Sequence, residues 1–204
     1  MSSTGRKEDR EASDNYPTPS WCVRRLLDAL TLPTEGYWAE PCVGEGAIVR
    51  AVAERHPDVR WVTQDIRKVA PQPEARSHVT GDFCGATYLG ELSDAFKDDE
   101  VQVCLTNPPF SLARKFIESS KLAMPQAIRI FLLRLNFLGS EDRRDWLAAD
   151  MPAQIWQLPN RPSFVKGKTD SIEYGWFVWY PGTPVRETTL RLLPLTSLEE
   201  RKRG

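Results

Sequence analysis

Asn107-Pro108-Pro109-Phe110 is the segment of this 204-residue chain best equipped for chemistry. Two successive prolines hold φ near about −65° and remove two backbone donors, so the segment is rigid and presents carbonyl oxygens. Such a segment suits a nucleophile that is poor for electronic reasons: an exocyclic amino group on a base, its lone pair delocalised into the ring. The Asn107 side-chain oxygen and the Pro108 carbonyl can accept its two hydrogens. They would turn the lone pair toward an electrophile and stabilise the positive charge that develops on nitrogen. Phe110 can stack on a base that has left a duplex. No histidine or tuned carboxylate base is needed, which suits a chain with two histidines, His56 and His78. The bland alternative is that Asn and two prolines simply end a strand. The buried strand before them, and a glycine turn elsewhere in the chain, favour the chemical reading.

That glycine turn is Ala39-Glu40-Pro41-Cys42-Val43-Gly44-Glu45-Gly46. It follows one apolar run and opens a helical one, the place where open α/β sheets bind ligands. Gly44 and Gly46 permit a tight turn and close approach of a ligand to backbone. Glu40 ends the first strand and Asp65 the second, where an acid can accept both ribose hydroxyls of a nucleoside. Ile66 follows Asp65, and Asp82-Phe83 follows the third strand. There an acid can accept an adenine amino group while an apolar side chain covers the ring. Residue 49 is Val, so the third glycine of a dinucleotide fingerprint is missing, and there is no phosphate loop of the G-x-x-x-x-G-K-[ST] type. The ligand expected is a nucleoside without phosphates, S-adenosylmethionine being the common cofactor of that kind.

The elements that must position these residues alternate. Apolar residues Val23, Leu26, Leu27 and Leu30 form one helical stripe, with Ser20 expected to cap it. Strands are expected over 37–40, 59–64, 78–80, 101–106, 127–133, 154–158 and 172–180. Helices are expected over 46–55, 111–122 and 141–149. Such alternation implies an α/β fold with a mainly parallel sheet. Residues 1–14 read as a disordered polar tail, 15–182 as the catalytic domain and 183–204 as a C-terminal extension. In that extension residues 190–193 could add an edge strand, and the charge run over 199–203 reads as solvated.

Composition excludes some classes. No apolar run approaches the ~18 residues of a membrane span, and residues 1–14 lack the apolar centre of a secretory signal, so a cytoplasmic protein is expected. The four cysteines, Cys22, Cys42, Cys84 and Cys104, form no C-x-x-C pair, and no metal site is expected. They read as reduced and mostly buried. The net charge of −1 is unusual for a nucleic-acid enzyme unless charge is segregated. Arg134, Arg143, Arg144, Arg161, Lys166 and Lys168 do gather in the second half, apart from Asp98, Asp99 and Glu100.

Four stretches together resemble the class I, Rossmann-like methyltransferases, specifically the small phage and bacterial enzymes acting on N6 of adenine. They are Tyr16-Pro17-Thr18-Pro19-x-Trp21, residues 40–46, residues 107–110, and Arg161-Pro162-Ser163-Phe164 continuing through Gly167-Lys168-Thr169-Asp170-Ser171-x-Glu173-Tyr174-x-Trp176-Phe177. The likeness spans about residues 16–180. It implies a mainly parallel seven-stranded sheet with helices on both faces and an antiparallel last strand. It implies transfer of a methyl group from S-adenosylmethionine to N6 of adenine in DNA, as in restriction-modification. On this resemblance Asn107, Pro108, Pro109 and Phe110 are catalytic. Tyr16, Pro17, Thr18, Glu40, Pro41, Cys42, Gly44, Gly46, Asp65, Ile66, Asp82, Phe83 and Asn107 hold the cofactor. Glu40 stands where Asp is more frequent, and Phe110 where Tyr is. The tetrapeptide marks nitrogen methylation in general; the first and last stretches favour DNA adenine. An RNA adenine or guanine N-methyltransferase, a protein glutamine N-methyltransferase and a non-catalytic nucleic-acid-binding module are the competing readings.

Residues 159–170 are too polar and too rich in Gly and Pro for a core element. They read as a loop over the site, with Arg161, Lys166 and Lys168 on phosphates and Phe164 near the flipped base. Phosphate contacts carry no sequence information directly, so a short target of roughly one to four bases is expected.

Overall fold

The computed structural model describes residues 17–85, 101–164, 171–182 and 184–202. Tyr16, Lys166, Lys168, the acidic Asp98-Asp99-Glu100 run and the polar tail over 1–14 lie outside the described residues.

Helix α1, Ser20–Ala29, buries Trp21, Cys22, Val23 and Leu26, the face set by the apolar stripe. Ser20 does not cap it. Pro19 occupies the N-cap and Ser20 is already helical; the fixed φ of proline suits it to the entry of a helix, displacing the serine by one position. Strand β1, Glu35–Glu40, leads through the glycine turn to helix α2, Ala47–Ala53. Strands β2, Asp58–Asp65, and β3, Ala75–Thr80, follow. Strand β4, Val101–Thr106, enters a single 3-10 turn, Phe110–Leu112, and then helix α3, Ala113–Ala123. The chain continues as β5, Ile128–Arg134, α4, Arg144–Ala149, β6, Gln154–Gln157, β7, Tyr174–Trp179, β8, Thr189–Leu192, and α5, Leu198–Lys202.

Among the described residues the sheet has eight strands in the order β3-β2-β1-β4-β5-β7-β6-β8, one more than the seven expected. The additional strand is β8, parallel to β6 at the edge. Strand β7 runs antiparallel between β5 and β6. It is buried along its whole length because it packs on both faces. Tyr174, Trp176 and Val178 join the core under α1 and α2, while Phe177 and Trp179 join the core under α3 and α4. The period of two that sends alternate side chains to opposite faces thus feeds both layers from one strand.

The charge run read as solvated supplies residues 199–202 of helix α5, in which no residue is buried. A capping box starts it. Glu200 N donates to Ser197 Oγ (3.3 Å), and Ser197 N donates back to Glu200 Oε2 (2.9 Å). Glu200 also pairs with Arg25 of α1 at 2.9 Å, so the segment packs on the first helix.

Candidate active site

Sheet order reverses between β1 and β4, which leave their shared edge for opposite sides. Ligands of open α/β sheets bind at such a switch point, outside the carboxyl ends of the strands. Here the carboxyl ends of β1, β2 and β4, with the turn after β3, enclose a cavity of about 460 Å³. Of the residues expected to hold a cofactor, Pro17, Thr18, Glu40, Pro41, Cys42, Gly44, Asp65, Ile66, Asp82, Phe83 and Asn107 line it. Gly46 does not. Its φ of 75° makes it the left-handed entry to α2, and a Cβ there would collide with the Gln72 side chain, so its part is the turn itself.

Backbone bonds fix the glycine turn to the end of β2. Val43 N donates to Gln64 O (2.8 Å), and Gly44 N donates to Asp65 Oδ2 (2.8 Å). Gly44 has φ 53°, the left-handed region in which glycine is at home. The Asp65 carboxylate also accepts from Arg67: Nε to Oδ1 at 2.9 Å, Nη2 to Oδ2 at 3.1 Å, and the backbone N–H to Oδ1 at 2.9 Å. Burial alone would raise its pKa. The hydrogen bonds from Arg67 and Gly44 outweigh burial and hold Asp65 below the usual carboxylate value. Glu40 goes the other way. Burial pushes its carboxyl well above the ordinary value, and the neighbouring Asp65 charge adds to the push. Its Oε2 is buried without a hydrogen-bond partner at the cavity wall.

Apolar walls complete the cavity. Ile66, a large apolar side chain, lines the cavity and is 70% exposed. Asp82 accepts from Cys84 N at 2.9 Å, closing the turn after β3, and also lines the cavity. Phe83 is buried against Phe116, ring centroids 5.4 Å apart. The Cys42 thiol, pushed up by burial, contacts Thr106 Oγ1 and donates to Asn107 O (3.4 Å). It thereby ties the glycine turn to the start of the tetrapeptide.

Asn107 lines the cavity. Its Nδ2 donates to Thr18 Oγ1 at 3.1 Å, which sets the amide with Oδ1 on the opposite side. Pro109 lines the cavity as well. Phe110 does not line the cavity. It belongs to an aromatic group, 5.4 Å from Tyr174 and 6.3 Å from Phe164 between centroids. Phe164 is itself 5.0 Å from Tyr174 and buried. Arg161, expected on phosphate, pairs with Glu173 at 2.6 Å on the exposed surface.

Two arginines at the site were not expected there. Arg67 lines the cavity and holds Asp65, and its place two residues after the acid was the only signal for it. Arg134, read only as one of the cations gathered in the second half of the chain, lies over the Phe110 ring with its guanidinium carbon 4.5 Å from the centroid. Its position at the end of a strand adjacent to β4 was the signal for it.

No family model matches the chain, and no curated protein matches it in sequence. Solved structures do match. A predicted O-methyltransferase from Agrobacterium tumefaciens superposes with a TM-score of 0.60 at 16% identity, over 87% of this chain and 86% of that one. The methyltransferase subunit of a type I restriction-modification system from Streptococcus thermophilus gives 0.62 at 10% identity over 91% of this chain, which spans 50% of that subunit. A ribosomal RNA methyltransferase from Plasmodium falciparum gives 0.55 at 11% identity over 80% of this chain and 95% of that one. The fold is the Rossmann-like methyltransferase fold. Among the described residues, no helix is long and apolar enough to cross a membrane, and no group of three or more His, Cys, Asp and Glu is placed to hold a metal.

Asp65 anchors the glycine turn and also faces the cavity, so its removal acts twice. Asp65→Ala is expected to weaken S-adenosylmethionine binding by at least the ~1.5–3 kcal/mol of hydrogen bonds to a charged group. Arg67→Ala is expected to leave affinity unchanged or tighter, because a ligand's hydroxyls no longer compete with the guanidinium for the same oxygens. Calorimetry on both variants decides this. Equal losses in the two would mean that the ion pair itself, and not the carboxylate, builds the pocket.

Proposed function

We propose that this chain transfers a methyl group from S-adenosylmethionine to an exocyclic amino nitrogen, that of N6 of adenine in DNA. The observation that carries this reading is the position of Asn107. It lines the cavity in the same rigid tetrapeptide as Phe110, which packs with Tyr174 and Phe164, and its amide is oriented by Thr18.

The cavity suits the cofactor. Its ionisable lining is mostly acidic: Glu40, Glu45, Asp65 and Asp82 against Arg67. That balance disfavours phosphates and favours a ligand with a sulfonium and an ammonium. Glu40, buried with an unsatisfied oxygen, is placed for a cation. Asp65 would take ribose hydroxyls, Ile66 and Phe83 the adenine faces, and Asp82 its amino group. Thr18 and Pro17 close the methionine end, with Tyr16 beside them in sequence. When bound, S-adenosylmethionine supplies an electrophilic methyl group on sulfur.

The protein's own residues do the rest. Asn107 Oδ1 and the Pro108 carbonyl accept the two hydrogens of the target amino group. The double proline keeps them in place without reorganisation, so their dipoles oppose the charge that grows on nitrogen. Phe110 presents the ring on which the base stacks, a step that requires the base to leave its duplex. Arg161 is engaged by Glu173, so Lys166 and Lys168, outside the described residues, are the cations proposed for the nucleic-acid backbone, and Phe164 supports Phe110.

Labelled S-adenosylmethionine offered with a mixture of DNA and RNA, followed by nucleoside analysis, tests the proposal. N6-methyladenine in the DNA fraction is expected. Label confined to RNA, or to protein, overturns the DNA assignment.

A further inference from the structure

Arg134 is the last residue of β5, beside the strand that carries the tetrapeptide. Its guanidinium carbon sits 4.5 Å from the Phe110 centroid, and its Nε donates to the Tyr174 hydroxyl at 3.2 Å. Tyr174 and Phe164 are buried and pack on Phe110 from the protein side, whereas Arg134 is only half-buried. Phe110 is itself half-buried, and the guanidinium lies over one face of its ring. A base stacked on an aromatic ring needs that same space. A guanidinium is a good occupant of it, being planar and weakly hydrated.

We propose that Arg134 occupies the target base's stacking place when no substrate is bound, and that the flipped base displaces it onto a backbone phosphate of the nucleic acid. This inference rests on the nucleic-acid reading above. The displaced side chain keeps its charge at the end of a rigid strand, next to the extruded nucleotide. The anion that nucleotide brings is its phosphate, which the guanidinium fork can bind in bidentate fashion. One residue thus shields Phe110 from water in the free protein and contributes a contact once the base is out of the stack.

The test compares Arg134→Met, which keeps the apolar stem, and Arg134→Lys, which keeps the charge, with the wild type. Each is first saturated with S-adenosylhomocysteine so that the cofactor cavity is filled. Two probes are then titrated: an adenine-containing oligonucleotide of the class methylated by the wild type, at several salt concentrations, and free adenosine. Arg134→Met is expected to weaken oligonucleotide binding roughly tenfold or more. It should also reduce the slope of log K against log salt by about 0.9, one phosphate on duplex DNA. Its affinity for free adenosine should stay equal or rise, because nothing competes for the ring. Arg134→Lys should keep the wild-type slope. A merely structural role would weaken both probes together and leave the slope alone, and that result overturns the inference. Wild-type protein that methylates DNA, with an unchanged slope in Arg134→Met, overturns this inference alone. Wild-type protein that binds and methylates no nucleic acid overturns the functional reading as well.

Discussion

Asn107→Ala is expected to lower the rate of methyl transfer on the order of 10²–10³-fold while S-adenosylmethionine binding stays nearly unchanged. The magnitude is that of removing one preorganised polar group aimed at charge that develops in a transition state. It corresponds to about 3–4 kcal/mol at ~1.36 kcal/mol per tenfold in rate. Asn107 lines the cavity, and its amide is held by Thr18 rather than by the acids of the lining. Its loss therefore acts on the amino group. Phe110→Ala should lose activity differently, by raising the substrate KM, because stacking acts on the base before and during the reaction. Thr18→Val provides the finer control. It keeps the Asn107 oxygen but removes the bond that aims it, so an intermediate loss is expected. Stopped-turnover kinetics with calorimetry in parallel checks all three. A fall in cofactor affinity that tracks the fall in rate would place Asn107 in the cofactor site alone.

Strands β1, β2 and β4 were legible in the sequence through short apolar runs, Tyr37-Trp38-Ala39, Trp61-Val62 and Val103-Cys104-Leu105. Val101–Thr106 has the boundaries the pattern gave, and the Glu40 and Asp65 strand ends were placed by the polar residues that stop each run. Elements near the edges were less legible. Helix α5 holds four charged residues in five and has no apolar face to reveal it. The Ser197-Leu198-Glu199-Glu200 capping box was the readable signal, and the charge run concealed it. Strand β3 began earlier than expected, since Ala75, Arg76 and Ser77 have weak strand character and pair only because β2 offers them a ladder.

Within the site, the acids could be placed from the sequence because strand ends fix them. The arginines could not. Arg67 and Arg134 have long, flexible side chains whose partners, Asp65 and Phe110, are settled by tertiary approach. Arg161, expected to meet phosphate, has a carboxylate partner in Glu173, which is held beside it where the chain enters β7. A basic residue near a site in sequence thus says little until the competing acids are located. The opposite behaviour of Glu40 and Asp65 was also beyond the sequence, since it depends on which acid receives Gly44 and Arg67 as donors.

Glu40→Gln is expected to stabilise the cofactor-free protein and to cost it cofactor affinity. Burial raises the Glu40 pKa in the folded chain above its unfolded value, and Asp65 adds to this. The folded state then binds the proton more tightly than the unfolded state. Stability must fall as pH rises from about 4.5, the unfolded range, through the folded pKa, and it stays lowered above that. Glutamine removes this loss. The variant should therefore melt higher than the wild type at neutral pH and lose that advantage near pH 4. Each kcal/mol recovered is worth about 2–4 °C in a chain of this size. Cofactor binding should move in the opposite sense. A cationic ligand beside Glu40 favours the ionised carboxylate, so wild-type affinity should rise with pH and binding should release a proton, seen as a buffer-dependent heat. The Gln variant should bind at least roughly tenfold more weakly, as expected for the loss of a charged partner, and should show neither the pH dependence at this group nor the released proton. A residue that merely filled space would lower stability and affinity together. A Gln variant that melts lower than the wild type and still binds S-adenosylmethionine normally would remove Glu40 from the cofactor's contacts.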